Sequence, residues 1–195
     1  MNYRKNGFRT AYKHLCIFPL DGVFKSAMNE FPGVDESDGV LVYGYIDTDA
    51  GFTLDIFACA KKHEDGYQFI DIPEDVRSIV RIESVMDSDF EVIDDEGLLD
   101  RYARRISLLD NYAVAEDVEK SRTMVFLDSS RHETFIDDVM VYLVKDGFQP
   151  EGCWVRIIGL LDSNIMGKLL NEPDQDFGYH CGDTMRCLER VFFTP

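Results

Sequence analysis

Lysine and arginine are scarce in this chain: 20 basic side chains stand against 37 acidic ones over 195 residues, a formal charge of −17 at pH 7. A field of that sign repels phosphate backbones and anionic lipid, which argues against nucleic-acid binding. Long hydrophobic runs are missing too. The apolar stretch at residues 15–20 is short, contains Pro19 and meets Asp21, whereas a membrane helix needs roughly 20 apolar residues and a signal peptide a longer apolar region with a small-residue cleavage site. The expectation is a cytoplasmic protein with no membrane association. The cysteines are few and odd in number, five at Cys16, Cys59, Cys153, Cys181 and Cys187 without regular spacing. That pattern does not read as a disulfide framework and suits reduced thiols. Internal repeats, heptads and low-complexity segments are absent.

What is present is an ordinary globular composition, 45% apolar, enough for a sizeable core. Behind Asp21, a plausible N-cap, Val23, Phe24, Ala27, Met28 and Phe31 recur at helical spacing until Pro32-Gly33. Residues 40–46 and 52–60 flank Asp47-Thr-Asp-Ala-Gly51 as a β-hairpin, and His63-Glu-Asp-Gly66 turns into a third strand at residues 67–72. Residues 78–85 fit either a strand or a helix. The clearest helix spans about 95–112, with Leu98, Leu99, Tyr102, Ala103, Ile106 and Leu109 on one stripe that covers the meander, and acids at its positive end. Residues 115–120 are charged and non-periodic and divide the chain into 1–118 and 119–195, two halves expected to pack as one compact unit. Beyond them, residues 123–127, 139–145, 153–158, 165–170 and 184–193 read as strands, with turns at 146–147, 150–152 and 162–164. The fold class is therefore α+β, mainly antiparallel sheet with two or more packed helices.

The second half, from about Arg131, resembles the YegJ-like family of small bacterial domains. The resemblance rests on Val141-Tyr-Leu-Val-Lys-Asp-Gly147, Glu151-Gly-Cys-Trp-Val-Arg-Ile157, Met166-Gly-Lys-Leu-Leu-Asn-Glu-Pro173 and Gly182-Asp183, over about 65 residues. It implies a curved antiparallel sheet, no specific activity, and a loose association with toxin-immunity or accessory proteins.

Most chemical constellations fail on spacing. Gly159 to Gly167-Lys168-Leu169 has the wrong interval for a phosphate loop and lacks its hydroxyl. An EF-hand register from Asp87 through Asp89, Glu91 and Asp95 places Val92 where glycine is needed and Leu98 where glutamate is needed. Asp87 to Glu96 therefore reads as an acidic, solvated turn. Cys59 with His63, and His180 with Cys181 and Cys187, lack a second ligand pair, so no metal and no cofactor is expected. His180 with Cys153 or Cys181 and Asp176 or Asp183 could form a nucleophilic site, with Cys181 and Asp183 the nearest partners; Ser129 or Ser130 beside His132 is another. Neither carries a nucleophile elbow. Trp154, the single tryptophan, reads as a core or sheet-face aromatic, or as an interface anchor.

The long polar segment 171–183 remains. Pro173, Gly178 and Gly182 suit an ordered loop with defined turns, Phe177 can dock as an apolar anchor, and the carboxylates can face outward. The expectation is a non-enzymatic protein-binding module of immunity or regulatory-adaptor type, with Asn171, Glu172, Asp174, Asp176, Phe177, Tyr179 and His180 as its contact residues and a basic protein surface as its partner. Pairing between copies is open to it too, because Arg4, Lys5, Arg9 and Lys13 form a basic end. The alternative is a hydrolytic enzyme using His180 with a nearby cysteine or aspartate.

Overall fold

The computed structural model describes residues 1–28, 30–73, 75–162 and 164–187. The chain divides into two units, Met1–Ala113 and Val114–Pro195. The division falls ahead of the boundary expected at 118 because the helix at Glu116–Ser121 packs on a strand of the second unit.

The first unit runs α1 (Tyr3–Asn6), β1 (Leu15–Pro19), α2 (Gly22–Ala27), β2 (Gly39–Asp47), β3 (Gly51–His63), β4 (Gly66–Asp71), β5 (Ser78–Arg81), β6 (Glu91–Ile93) and α3 (Glu96–Ser107). Asp21 caps α2 by accepting from the amides of Val23 and Phe24, and Asp95 caps α3 from those of Gly97 and Leu98. The strands form an antiparallel sheet in the order β4, β3, β2, β1, β6, and β5 shares with β4 the outer edge of the long strand β3. Asp47 closes the β2–β3 turn, its carboxylate taking the amides of Asp49 and Ala50 at 3.0 and 3.2 Å. One face of the sheet packs Leu15, Ile17, Leu41, Tyr43 and Phe57 under α3 and the turn that follows it, where Tyr102 of α3 and Leu109 just beyond it are buried and Leu98, Leu99 and Ile106 half-buried. Ala103, expected on that stripe, is exposed: the helix offers the sheet a narrower face than the periodicity suggested.

Other departures have local causes. Residues 78–85 resolve into β5 followed by a 3-10 turn at Ile82–Ser84. The helix expected to 112 stops at Ser107 and tightens into a 3-10 segment, Leu108–Tyr112. Strands β1 and β6 were not anticipated: the run at residues 15–20 becomes the strand between β2 and β6, and part of the acidic stretch 87–96 supplies β6, which pairs through its backbone.

The second unit contains α4 (Glu116–Ser121), β7 (Asp138–Leu143), β8 (Glu151–Leu161), β9 (Asn164–Leu169) and β10 (Thr184–Cys187), an antiparallel sheet in the order β10, β9, β8, β7. Along β8, Cys153, Val155 and Ile157 point into a core with Leu127, Val139, Val141, Ile165 and Leu169, while Trp154 and Arg156 are half-buried on the other face. Trp154 is thus a sheet-face aromatic. Gly167 is required where β9 crosses β8, since a Cβ there would lie 2.0 Å from Val155 Cγ1. Residues 123–127 are not a strand; a 3-10 helix covers Val125–Ser130, because Leu127 alone of that apolar run is buried whereas Val125 and Phe126 are exposed. Glu151 and Gly152 open β8 instead of sitting in a turn. Of the strand expected at 184–193, residues 188–193 lie outside the described residues. With helices beside antiparallel sheets in both units, the fold is α+β. No described helix is long and apolar enough to cross a membrane.

Candidate functional site

The segment 171–183 leaves β9 and enters β10 as an ordered loop tied down along its length. Asn171 Oδ1 accepts from the Trp154 amide at 2.8 Å. Glu151 takes the amides of Asp174 and Gln175 at 2.6 and 3.2 Å, and Lys145 Nζ donates to the Asp176 carbonyl at 2.7 Å. Phe177 is buried in the core against Phe148, ring centroids 5.5 Å apart. Gly178 and Gly182 have φ of 86° and 95°, a backbone open to glycine at little cost. At the far end the Gly182 amide donates to the Leu169 carbonyl at 2.8 Å.

The side chains expected to act here divide by role. Phe177 and Asn171 are committed to the fold, one by burial and the other by its backbone bond, so neither is free to meet a partner as expected. Glu172, Asp174, Asp176, Tyr179 and His180 are exposed. Glu172 is the organiser: one oxygen accepts from His180 Nδ1 at 2.7 Å and the other from the Cys181 amide at 2.8 Å. Those bonds, the Cys181 amide first, lower the Glu172 pKa, while the hydrogen bond and charge of Glu172 raise that of His180. Asp183 Oδ2 accepts from the His180 amide at 2.8 Å.

This geometry does not assemble a nucleophilic triad. His180 turns its Nδ1 to Glu172, and the exposed thiol of Cys181 donates to the Leu170 carbonyl at 3.3 Å. Cys153 is buried, and burial raises its thiol pKa. At the other proposed pair, Ser130 donates to the Leu127 carbonyl at 3.0 Å while His132 Nδ1 accepts from the amides of Thr134 and Phe135, both at 3.2 Å. That histidine is a local cap, with Trp154 edge-on at 5.2 Å. Among the described residues no group of three or more His, Cys, Asp or Glu is placed to hold a metal ion.

A second constellation lies in the first unit, where sequence reasoning did not look. Asp55, in the middle of β3, is 2% exposed. Its Oδ2 accepts from Arg77 Nε at 2.6 Å, and Arg77 also donates to the hydroxyls of Tyr45 and Tyr112 at 2.8 and 2.9 Å. Its Oδ1 has no hydrogen-bond partner among the described residues, with Arg105 Nη2 at 3.6 Å. Burial pushes the Asp55 pKa up while Arg77 and Arg105 oppose it, and burial lifts Tyr45 to about 12. Nearby, Asp71 binds Arg101 Nη2 at 2.6 Å and the Tyr102 hydroxyl at 2.5 Å. Beside this network opens a cavity of about 300 Å³ lined by residues of α3, β3 and the end of β4. One signal was readable: Asp55 interrupts an otherwise apolar strand, and a buried carboxylate needs a partner.

No family model, curated protein or solved structure matches this chain. The two sites therefore rest on their own chemistry.

Proposed function

We propose that the chain is a protein-binding module that presents the 171–183 loop as a rigid, acidic contact surface to a partner with a basic face. The observation that carries this reading is the division of labour within the loop. Glu172, Glu151 and Lys145 fix the backbone, and Asp176 helps by accepting from the Gly178 amide at 3.1 Å, while the exposed Asp174 and Tyr179 side chains and the outer oxygen of Asp176 project from a preformed frame. A preordered surface loses little entropy on binding, and the net charge of −17 steers a basic protein and speeds encounter. An immunity or regulatory-adaptor role, in the cytoplasm and without nucleic acid, belongs to the same proposal. So does kinship of the second unit with YegJ-like domains; the residues that carry that resemblance fall on β7, β8, β9 and the entry to β10.

The hydrolytic alternative draws support from the exposure of Cys181 and from the carboxylate on His180 Nδ1, the orienting bond of a triad, and loses it through the Cys181 thiol, which donates to the Leu170 carbonyl and not to the imidazole. The test compares D174K/D176K with H180A as baits of matched thermal stability. A protein retained by the wild type and by H180A but lost from D174K/D176K is the expected result. Equal retention by the lysine variant overturns the reading, as does turnover on an ester, amide or phosphate panel that H180A abolishes.

A further inference from the structure

In a molecule of net charge −17, the described lining of the cavity beside α3 carries more cations than anions. Its rim carries Arg101, Arg104 and Arg105 against Asp71 and Asp75. The three arginines stand at i, i+3 and i+4, so they share one side of the helix. Its floor is apolar and aromatic: Phe57 and Tyr102, ring centroids 5.1 Å apart, with Ile72 beside them.

The cations are held in place. Arg105 lies over the Phe57 ring at 5.1 Å and its Nη2 donates to the Val76 carbonyl at 3.1 Å. Arg101 is fixed by Asp71, whose charge it offsets. Behind Arg105, the buried carboxylate of Asp55 faces two guanidiniums, Arg77 at 2.6 Å and Arg105 at 3.6 Å. Among the described residues, one negative charge between two positive ones leaves Arg105, which lines the cavity, incompletely neutralised from behind.

We infer that this cavity is a binding site for a small aromatic oxyanion, an aryl carboxylate or aryl phosphate, whose ring rests on Phe57 and Tyr102 and whose oxygens meet the guanidiniums of Arg101, Arg104 and Arg105. The planar, multi-donor guanidinium matches both oxyanions in a way an ammonium does not. A volume of about 300 Å³ is at the small end of ligand pockets, and an apolar floor with a few convergent polar groups is their usual construction. The cavity is separate from the acidic loop and would serve the chain whether or not that loop binds a protein.

The experiment titrates the full chain with 2-naphthoate, 2-naphthyl phosphate, neutral 2-naphthamide and inorganic phosphate, read by amide chemical shifts. Saturable shifts at residues 57, 71, 72 and 98–108 with both aryl anions are expected, and binding of the amide and of inorganic phosphate at least about tenfold weaker. Whichever aryl anion binds more tightly names the source of the oxyanion. R101Q/R104Q should weaken both by about tenfold or more; should that variant not fold, R104Q, altering one exposed side chain, should weaken them by a smaller but measurable factor. No saturable shift by about 10 mM, naphthamide or inorganic phosphate binding as well as naphthoate, shifts confined to other residues, or an affinity unchanged in the folded arginine variants would each overturn the inference.

Discussion

Two of the buried aspartates, Asp55 in the first unit and Asp137 in the second, solve the same problem differently. Asp137 in the second unit receives Arg122 through two parallel bonds of 2.9 and 2.7 Å, with both side chains 4% exposed. Asp55 in the first unit shares two arginines, keeps one oxygen without a hydrogen-bond partner among the described residues, and lies behind Arg105, which lines a cavity. The first is compact and bidentate, with Glu119 as a third member that accepts from Arg122 Nη1 at 2.8 Å, and it joins the end of α4 to the entry of β7. The second is electrically open. Charge that a fold leaves uncancelled next to accessible space is where ligand chemistry is to be sought, and on that criterion the first unit, not the acidic loop alone, holds chemistry worth testing.

The contrast can be broken experimentally. Asp137→Ala takes away the bidentate partner of a buried guanidinium and leaves it only the more exposed Glu119, so about 3 to 5 kcal/mol is expected, read from the urea midpoint of the second unit. Asp55→Asn keeps the shape and leaves Arg77 and Arg105 partial access to water, so about 1 to 3 kcal/mol is expected; a larger cost than at Asp137 would reverse the comparison. The sign of its pH dependence sharpens the point. With the folded pKa of Asp55 raised above its ordinary 3.8, the native state takes up the proton first, so wild type should lose stability relative to D55N as pH rises through that interval. Leu99→Ala, on the helix that carries Arg105, should cost about 1 to 2 kcal/mol, because a half-buried leucine gives up only part of its transfer free energy; an unchanged denaturation midpoint would remove α3 from the core.

The exposed His180–Glu172 pair marks the weak end of the series. Its histidine pKa is raised above 6.5 and its glutamate pKa lowered below 4.5. The histidine's contribution is complete below 6.5 and fades as pH rises through its folded value. The glutamate's is complete above 4.5 and fades as pH falls through its own, so both operate together between those values. A His180 NMR titration should show a midpoint above 6.5 that E172Q moves back toward it. A wild-type midpoint at or below 6.5 would show that the pair does not form in solution.

How much of this was legible depended on whether the cause was local. The two hairpins were readable because Asp47 to Gly51 and Glu64-Asp65-Gly66 carry their own turn chemistry, and α3 because Asp95 caps it within two and three residues. Strand β6 was hidden in an acidic run because an edge strand is made by its backbone partner, here Cys16 with Val92, and composition does not reveal a partner. Residues 123–127 looked like a strand because apolarity was taken for burial, yet Val125 and Phe126 are exposed and Leu127 alone is fully buried. At the loop, the turn glycines and the docking of Phe177 were anticipated, but not the pairing of Glu172 with His180. The Asp55 network escaped altogether: Arg77 lies 22 residues away and Arg105 on another element, so only the tertiary fold brings them together.

Trp154 gives the chain a built-in optical reporter. The protein has one tryptophan and nine tyrosines, and the indole stands on β8, its amide bonded to Asn171 at the start of the loop and its ring against His132. Emission excited selectively at the indole therefore follows the second unit and the root of its loop, whereas α3, its cavity and Asp55 stay dark. A denaturation curve recorded by tryptophan fluorescence and one recorded by backbone circular dichroism need not superimpose, and any gap between them reads out the two units as separate cooperative transitions in one sample.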